Sequence, residues 1–205
     1  MIRTSALLLS AALLAAPAAA QAPSDPPGRA DVSRVTGGTY KVDSNHTQAI
    51  WTVDHLGVSP LSGMFGGMSG TLRLDPARPA AAQLNIEIPL TGLTTPSEGF
   101  GKHLRTPDFF DAAKFPTARF VSTSVRPQGT RATITGDLTM HGVTKPVVLQ
   151  AAFHGAGPNP RNKAENLGFT ATTTLKRSDW GLGYGVPMVG DTVKLQIVGA
   201  FEKQG

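Results

Sequence analysis

Gly136-Asp137-Leu138-Thr139-Met140-His141-Gly142-Val143-Thr144-Lys145-Pro146 joins two runs of alternating polarity through a short polar turn. Upstream of the turn, Ala132, Ile134, Leu138 and Met140 alternate with Arg131, Thr133, Asp137 and Thr139. A repeat of two is that of a strand with one apolar face, whereas helical side chains return to one face every ~3.6 residues. The stretch holds no nucleophile–base pair and no phosphate cradle, so it reads as a strand connection and not as a catalytic loop.

The same period recurs along the chain. Met68, Gly70, Leu72 and Leu74 share one parity, as do Leu84, Ile86, Ile88 and Leu90. Leu167, Phe169, Ala171 and Leu175 form a third set, and Val193, Leu195, Ile197 and Phe201 a fourth. Less regular strands are read at 40–42, 49–56, 119–125 and 147–153. The connections are short, which favours antiparallel pairing, because a parallel crossover needs about a dozen residues. About eight strands with one apolar face each close into a barrel whose interior just fills with side chains or holds one small ligand. The fold expected is therefore all-β, an antiparallel barrel with a short helical insertion. Ser97 is placed to cap a short helix through Lys102 and His103, and Thr106-Pro107 reads as a second helical start. Together they would form a plug or lid at one end. Gly66-Gly67 marks a bulge or sharp bend.

Of the 205 residues, 1–20 read as a cleavable export signal: Arg3, an apolar run over 6–16, and Ala18-Ala19-Ala20 as the cleavage site. Residues 21–38, rich in Pro and Gly and poor in large apolar side chains, read as a flexible leader. Residues 39–205 make the barrel domain, and the expected location is the periplasm. The chain has no Cys, which excludes disulfides, thiolate zinc sites and cysteine catalysis. Its formal charge of +5 falls to +4 without Arg3, and the basic residues are scattered, so no nucleic-acid partner is expected.

Chemistry-bearing residues are sparse. His46, His55, His103, His141 and His154 show neither helical i, i+4 spacing nor clustering. Gly67-Met68-Ser69-Gly70 is one residue short of a nucleophile elbow. No metal, no cofactor and no catalytic residue is assigned. His55 shares a strand face with Trp51 and Val53, either as a hydrogen-bonded core residue or as a polar fixture in a pocket. Phe100, Phe109, Phe110, Phe115 and Phe120 crowd one stretch, as a lid on the core or as rings lining a cavity.

Five pieces, in order, carry a resemblance. They are Tyr40-Lys41-Val42-Asp43 with His46; Trp51, Val53, His55-Leu56-Gly57-Val58 and Gly63-Met64-Phe65; His103-Leu104-Arg105 with Asp108-Phe109-Phe110-Asp111 and Phe115-Pro116; the opening stretch; and Arg177-Ser178-Asp179-Trp180-Gly181. Over 39–201 the chain resembles the YceI-like family, exported bacterial proteins with a lipocalin-like barrel that hold a polyisoprenoid chain. The resemblance implies a non-enzymatic periplasmic binder or carrier of an isoprenoid lipid, polyprenyl or quinone-like, in an apolar barrel cavity. Two other readings stay open: an accessory protein or enzyme of isoprenoid or quinone metabolism, and a stress-response protein with no bound ligand. Transient membrane contact and a homodimer are further partner readings.

Strand parity joined to the resemblance places Trp51, Val53, His55, Leu72, Leu84, Ile86, Ile88, Phe100, Leu104, Phe109, Phe110 and Phe120 around that cavity. Trp51 and Trp180 stand where the family has smaller aromatics and would narrow it, and the Gly-rich stretch 181–190 would alter its mouth. Lys102, Arg105 and Arg177 read first as ordinary surface cations, with the alternative that one of them, near the mouth, meets a head-group phosphate. Each methylene of a lipid removed from water contributes ~0.8 kcal/mol, so a chain of this kind needs no charge pair to bind.

If the export reading is right, intact-mass measurement of the protein recovered from the periplasm gives a chain beginning at Gln21. A full-length mass in that fraction would refute it.

Overall fold

The computed structural model describes residues 25–205, so the expected export signal over 1–20 lies outside the described residues. The alternating runs form β1 (Gly38–Val42), β2 (Gln48–His55), β3 (Ser59–Phe65), β4 (Ser69–Leu74), β5 (Gln83–Pro89) and β6 (Leu93–Thr94). After the helix α1 (Glu98–Leu104) come β7 (Thr117–Gln128), β8 (Arg131–Met140), β9 (Val143–Pro158), β10 (Glu165–Lys176) and β11 (Val189–Lys203).

Every pairing is antiparallel. The ring runs β1-β4-β5-β7-β8-β9-β10-β11 and closes where β1 meets β11, with Tyr40 opposite Lys203 and Val42 opposite Phe201. Farther along the same edge of β11, β2 pairs from Val198 to Val189 and carries β3 and β6. β1 and β2 thus share one place in the wall, as do β4 and β3. This is the eight-position antiparallel barrel, lipocalin-like, that the period-two runs and the resemblance predict. Gly67, with φ of 65°, lies in the break between β3 and β4.

The registers define two ends. At one, the helix end, lie α1, the turn over 56–58, the His141-Gly142 turn and residues 177–188. At the other, the tail end, lie the turn over 128–131, the loop over 159–163 and the start of the described chain. Part of the stretch read as a flexible leader is seated there: Arg29 and Ala156 exchange backbone hydrogen bonds of 3.0 and 2.9 Å. Val35 is buried with Tyr40, Ala156, Leu167 and Phe201. One apolar side chain of the segment, Val35, is thus held in a groove between the strand ends. The Tyr40 hydroxyl donates to Glu165 at 3.0 Å, and burial, reinforced by that carboxylate, pushes its pKa up to about 12.

The opening stretch forms a two-residue hairpin turn. Met140 pairs with Val143, and both intervening residues have positive φ, 51° at His141 and 76° at Gly142. His141 is held in that uncommon conformation from outside. Its Nδ1 donates to the Trp180 carbonyl at 3.0 Å, and its ring meets Phe115 edge-on at 4.9 Å. The Trp180 indole N–H donates in turn to the Leu138 carbonyl at 3.1 Å.

Two bulges account for the irregular runs. β7 shifts register between Ser122 and Ser124, so Phe120 and Val125, an odd number of residues apart, both face the interior. β9 shifts against β10 beside Phe153 and His154, which brings both Phe153 and Ala156 inward. In the insertion, the Ser97 hydroxyl accepts the Phe100 N–H at 3.3 Å and starts α1 as expected. The second helical start at Thr106-Pro107 does not propagate; residues 105–115 are a succession of turns. Asp111 adopts a φ of 44° there, and its N–H closes on the Thr106 carbonyl, five residues back, so no helical ladder can continue.

Gly136 lies under the wall, where a Cβ would come within 2.4 Å of the Phe120 ring and 2.6 Å of the Val121 carbonyl oxygen. Gly136→Ala should therefore lower stability by ~1–3 kcal/mol, the usual cost of overpacking. A drop in urea midpoint at constant m-value checks it; an unchanged midpoint would show that β7 yields freely.

Candidate ligand-binding cavity

The inward positions of the barrel carry branched aliphatic and aromatic side chains that line the wall without meeting across the middle. They enclose a cavity of about 1100 Å³, the upper end of the range for small-molecule sites. All twelve residues expected at a cavity border it. Ala49, Trp51, Val53 and His55 project from β2; Leu72 comes from β4, and Leu84, Ile86 and Ile88 from β5. Phe120 comes from β7, while Phe100, Leu104, Phe109 and Phe110 roof the helix end. The opposite wall, beyond the twelve expected residues, shows the same parity: Ile134, Leu138, Val147, Leu149, Phe169, Leu175, Leu195 and Ile197 all border the space. Apolar alternation on β8–β11 was the signal that would have found them.

The two tryptophans part company. Trp51 is on the cavity wall, its ring over Gly63 and edge-on to Phe100 at 6.3 Å. Its indole N–H is buried with no hydrogen-bond partner among the described residues. Trp180 does not border the cavity; its N–H bond to Leu138 turns it into the packing beneath the His141 turn. The expectation that it narrows the cavity is corrected accordingly. The Gly-rich stretch does reach the cavity, through Leu182, Tyr184, Gly185 and Val189.

Of the three cations read as surface residues or head-group partners, two are structural. Arg105 donates to the carbonyls of Leu90, Gly101 and Leu93 and so fixes α1 to the wall. Arg177 is buried and borders the cavity, yet it donates to the carbonyls of Gly190 at 2.9 Å, Tyr184 at 2.9 Å and Val189 at 2.8 Å, and also to Leu182. Burial holds its pKa below the usual arginine range. Lys102 is exposed and paired with Glu98 at 2.7 Å. Thr47, the other buried polar residue on the wall, bonds the Ala200 backbone through both its roles as donor and acceptor. The two buried polar side chains of the wall, Thr47 and Arg177, are thus tied to backbone, and most of what faces the space is hydrocarbon. His55 and His103 border the cavity near the helix end, where His103 stacks edge-on against Phe109 at 5.0 Å. Among the described residues no three His, Cys, Asp or Glu come together as a metal site.

A closed antiparallel barrel with one helical roof and a single large apolar interior defines a lipocalin-like protein. Within that class the chain belongs to the YceI-like domain family, whose pattern it matches over residues 40–201. A UPF0312 protein of Pseudomonas putida is 42% identical over 146 residues, covering 70% of this chain and 76% of that protein. Among solved structures, BcnA of Burkholderia cenocepacia superposes with a TM-score of 0.70 at 22% identity, covering 78% of this chain and 98% of that one. A polyisoprenoid-binding domain of Saccharophagus degradans, implicated in plant cell wall breakdown, superposes with a TM-score of 0.60 at 15% identity, covering 80% and 98%.

Replacing Arg177 by Met leaves four loop carbonyls without their charged donor; the net loss of the equivalent of one such bond, ~1.5–3 kcal/mol, already opens the loop about tenfold or more. Amide exchange over 182–190 should accelerate roughly tenfold or more while the central strands keep their protection. Unchanged exchange in that loop would show that Arg177 does not hold it.

Proposed function

We propose that this protein is an exported, non-catalytic binder or carrier of an isoprenoid lipid, a polyprenyl or quinone-like molecule, held in the barrel cavity in the periplasm. The observation that carries the reading is the continuous apolar cavity of about 1100 Å³ that the protein's own side chains leave unfilled. The family membership and the fold shared with a polyisoprenoid-binding domain support it. Residues 1–20, with the features of an export signal, support the location.

The wall favours a long apolar chain over a compact polar ligand. Lining residues on β11 extend from Val189 to Phe201, a run of roughly 40 Å at the usual rise per residue of a strand. With a wall that is mostly hydrocarbon and its buried Thr47 and Arg177 bonded to backbone, recognition would rest on buried hydrocarbon area.

Mass spectrometry of a solvent extract of the purified protein tests this. An isoprenoid species at near-stoichiometric level is expected, and an extract free of lipid would count against the reading. Ile86→Asp puts a charge on the β5 wall, where an unpaired buried carboxylate costs several kcal/mol. The variant, verified as strand-rich by circular dichroism, should retain less than about a tenth of the lipid. Full occupancy in the folded variant would show that this face does not contact the ligand.

A further inference from the structure

We propose that the helix end of the barrel is a membrane-docking rim, through which the cavity loads and unloads its chain at a bilayer surface. This rests on the lipid-binding reading above. Among the described residues, five of the eight exposed large apolar side chains belong to two neighbouring loops at this end: Leu56, Val58, Tyr184, Val186 and Met188. The Leu56 N–H donates to the Met188 carbonyl at 2.8 Å, and His55 pairs with Val189, so the loops form one surface. Val58 is 83% exposed and Met188 62%. At the tail end only Val32 is comparable, and Val148 and Val198 stand apart on the outer wall.

Local preference does not explain this surface. Leu56 has a φ of 62° and Gly57 one of 66°, a hairpin turn that Asn-Gly satisfies best. A leucine there is disfavoured by backbone sterics and also by its exposure to water. The exposure penalty is relieved if the side chain enters an apolar phase; the steric one is carried in either phase, so the leucine is retained there at a standing cost. The second loop is presented rigidly, because Arg177 holds its carbonyls, so insertion orders little that is not already ordered.

The occupant follows from continuity and charge. Tyr184 is both 54% exposed and on the cavity wall, and it packs edge-on against Phe109 at 5.2 Å and His103 at 6.0 Å. A rim that runs directly into the cavity would let a chain pass between bilayer and barrel without crossing water. Tyrosine with aliphatic neighbours also suits the membrane interface. Nearby charges are paired or mixed, Lys102 with Glu98, Lys145 with Asp179, and Asp54 capping the Gly57 N–H. Docking would therefore be driven by apolar insertion and would not need anionic lipid.

The test is flotation of the processed chain, its start checked by intact mass, with phosphatidylcholine vesicles. The wild type should co-float. Leu56→Asn with Met188→Ser should weaken vesicle partitioning by about tenfold or more, as expected for two apolar side chains kept from burial. Asn suits the left-handed turn, so this variant keeps its fold, and an unchanged urea midpoint verifies that. Val148→Thr on the outer wall should float like wild type. The rim variant should keep the lipid it was purified with but extract a polyprenyl alcohol from vesicles more slowly. Ile86→Asp should still float, which separates docking from cavity occupancy: a wild type that floats but yields a lipid-free extract would sink the cavity reading and leave the rim standing. A wild type that fails to float, or a rim variant that floats equally well, overturns the proposal. So does a non-floating dimer that the rim substitutions dissociate, which would make this surface a contact between copies.

Discussion

The backbone pairing between β1 and β11 is the constraint on which the rest of the structure depends. A barrel with an open interior forgoes the cross-barrel contacts that stabilise a filled one. What remains is the hydrogen-bond ladder and the packing of each side chain against its neighbours along the wall. A ladder that closes on itself has no free edge over its length, so every interior strand is held on both sides. Tyr40, fully buried beside this seam, packs with Val35, Leu167 and Phe201 and anchors its hydroxyl on Glu165. Core density is thereby concentrated at the tail end, and the middle can stay open.

The helix end is organised by a different device. The His141-Gly142 turn, Trp180 and Phe115 lie far apart in sequence and close on one another through two backbone carbonyls and an edge-on ring pair. Next to them, Arg177 collects the carbonyls of Leu182, Tyr184, Val189 and Gly190 and so gathers the loop around one side chain. A buried guanidinium with several acceptors but no bonded carboxylate is costly to desolvate; the oriented carbonyl dipoles offset part of that cost. Arg105 does the same for α1. Both arginines act on the frame of the cavity entrance and neither is free to serve as a simple surface cation.

With a wall that is mostly hydrocarbon, the cavity is suited to ligands that offer area and flexibility more than a fixed pattern of donors. Hydrophobic burial is non-directional, so a long chain can slide, fold back or vary in length with little change in contact energy. Trp51, His55, His103 and Tyr184 set polar atoms near the roofed end, and any preference for a particular terminal group would be expressed there.

By itself, the sequence determined the strands and their inner faces, because a period of two leaves only one face apolar. All twelve residues assigned to the cavity from parity and resemblance border it, and the Ser97 cap begins α1. Only the tertiary structure decided what depends on partners distant in the chain. Trp51 and Trp180 are alike as residues, but one faces the cavity and the other turns away because the Leu138 carbonyl is there to accept its N–H. Bulges in β7 and β9 reset the parity of Val125 and Ala156, since an extra residue is tolerated only where the neighbouring strand lets the ladder slip. Thr106-Pro107 has the local marks of a helix start, but the chain must turn back to Pro116, whose carbonyl accepts the Leu90 N–H at 2.9 Å, before a helical ladder can grow. Whether the inner faces meet or leave a space is set by the girth of the closed ring, a property of the whole sheet that no local run of residues encodes.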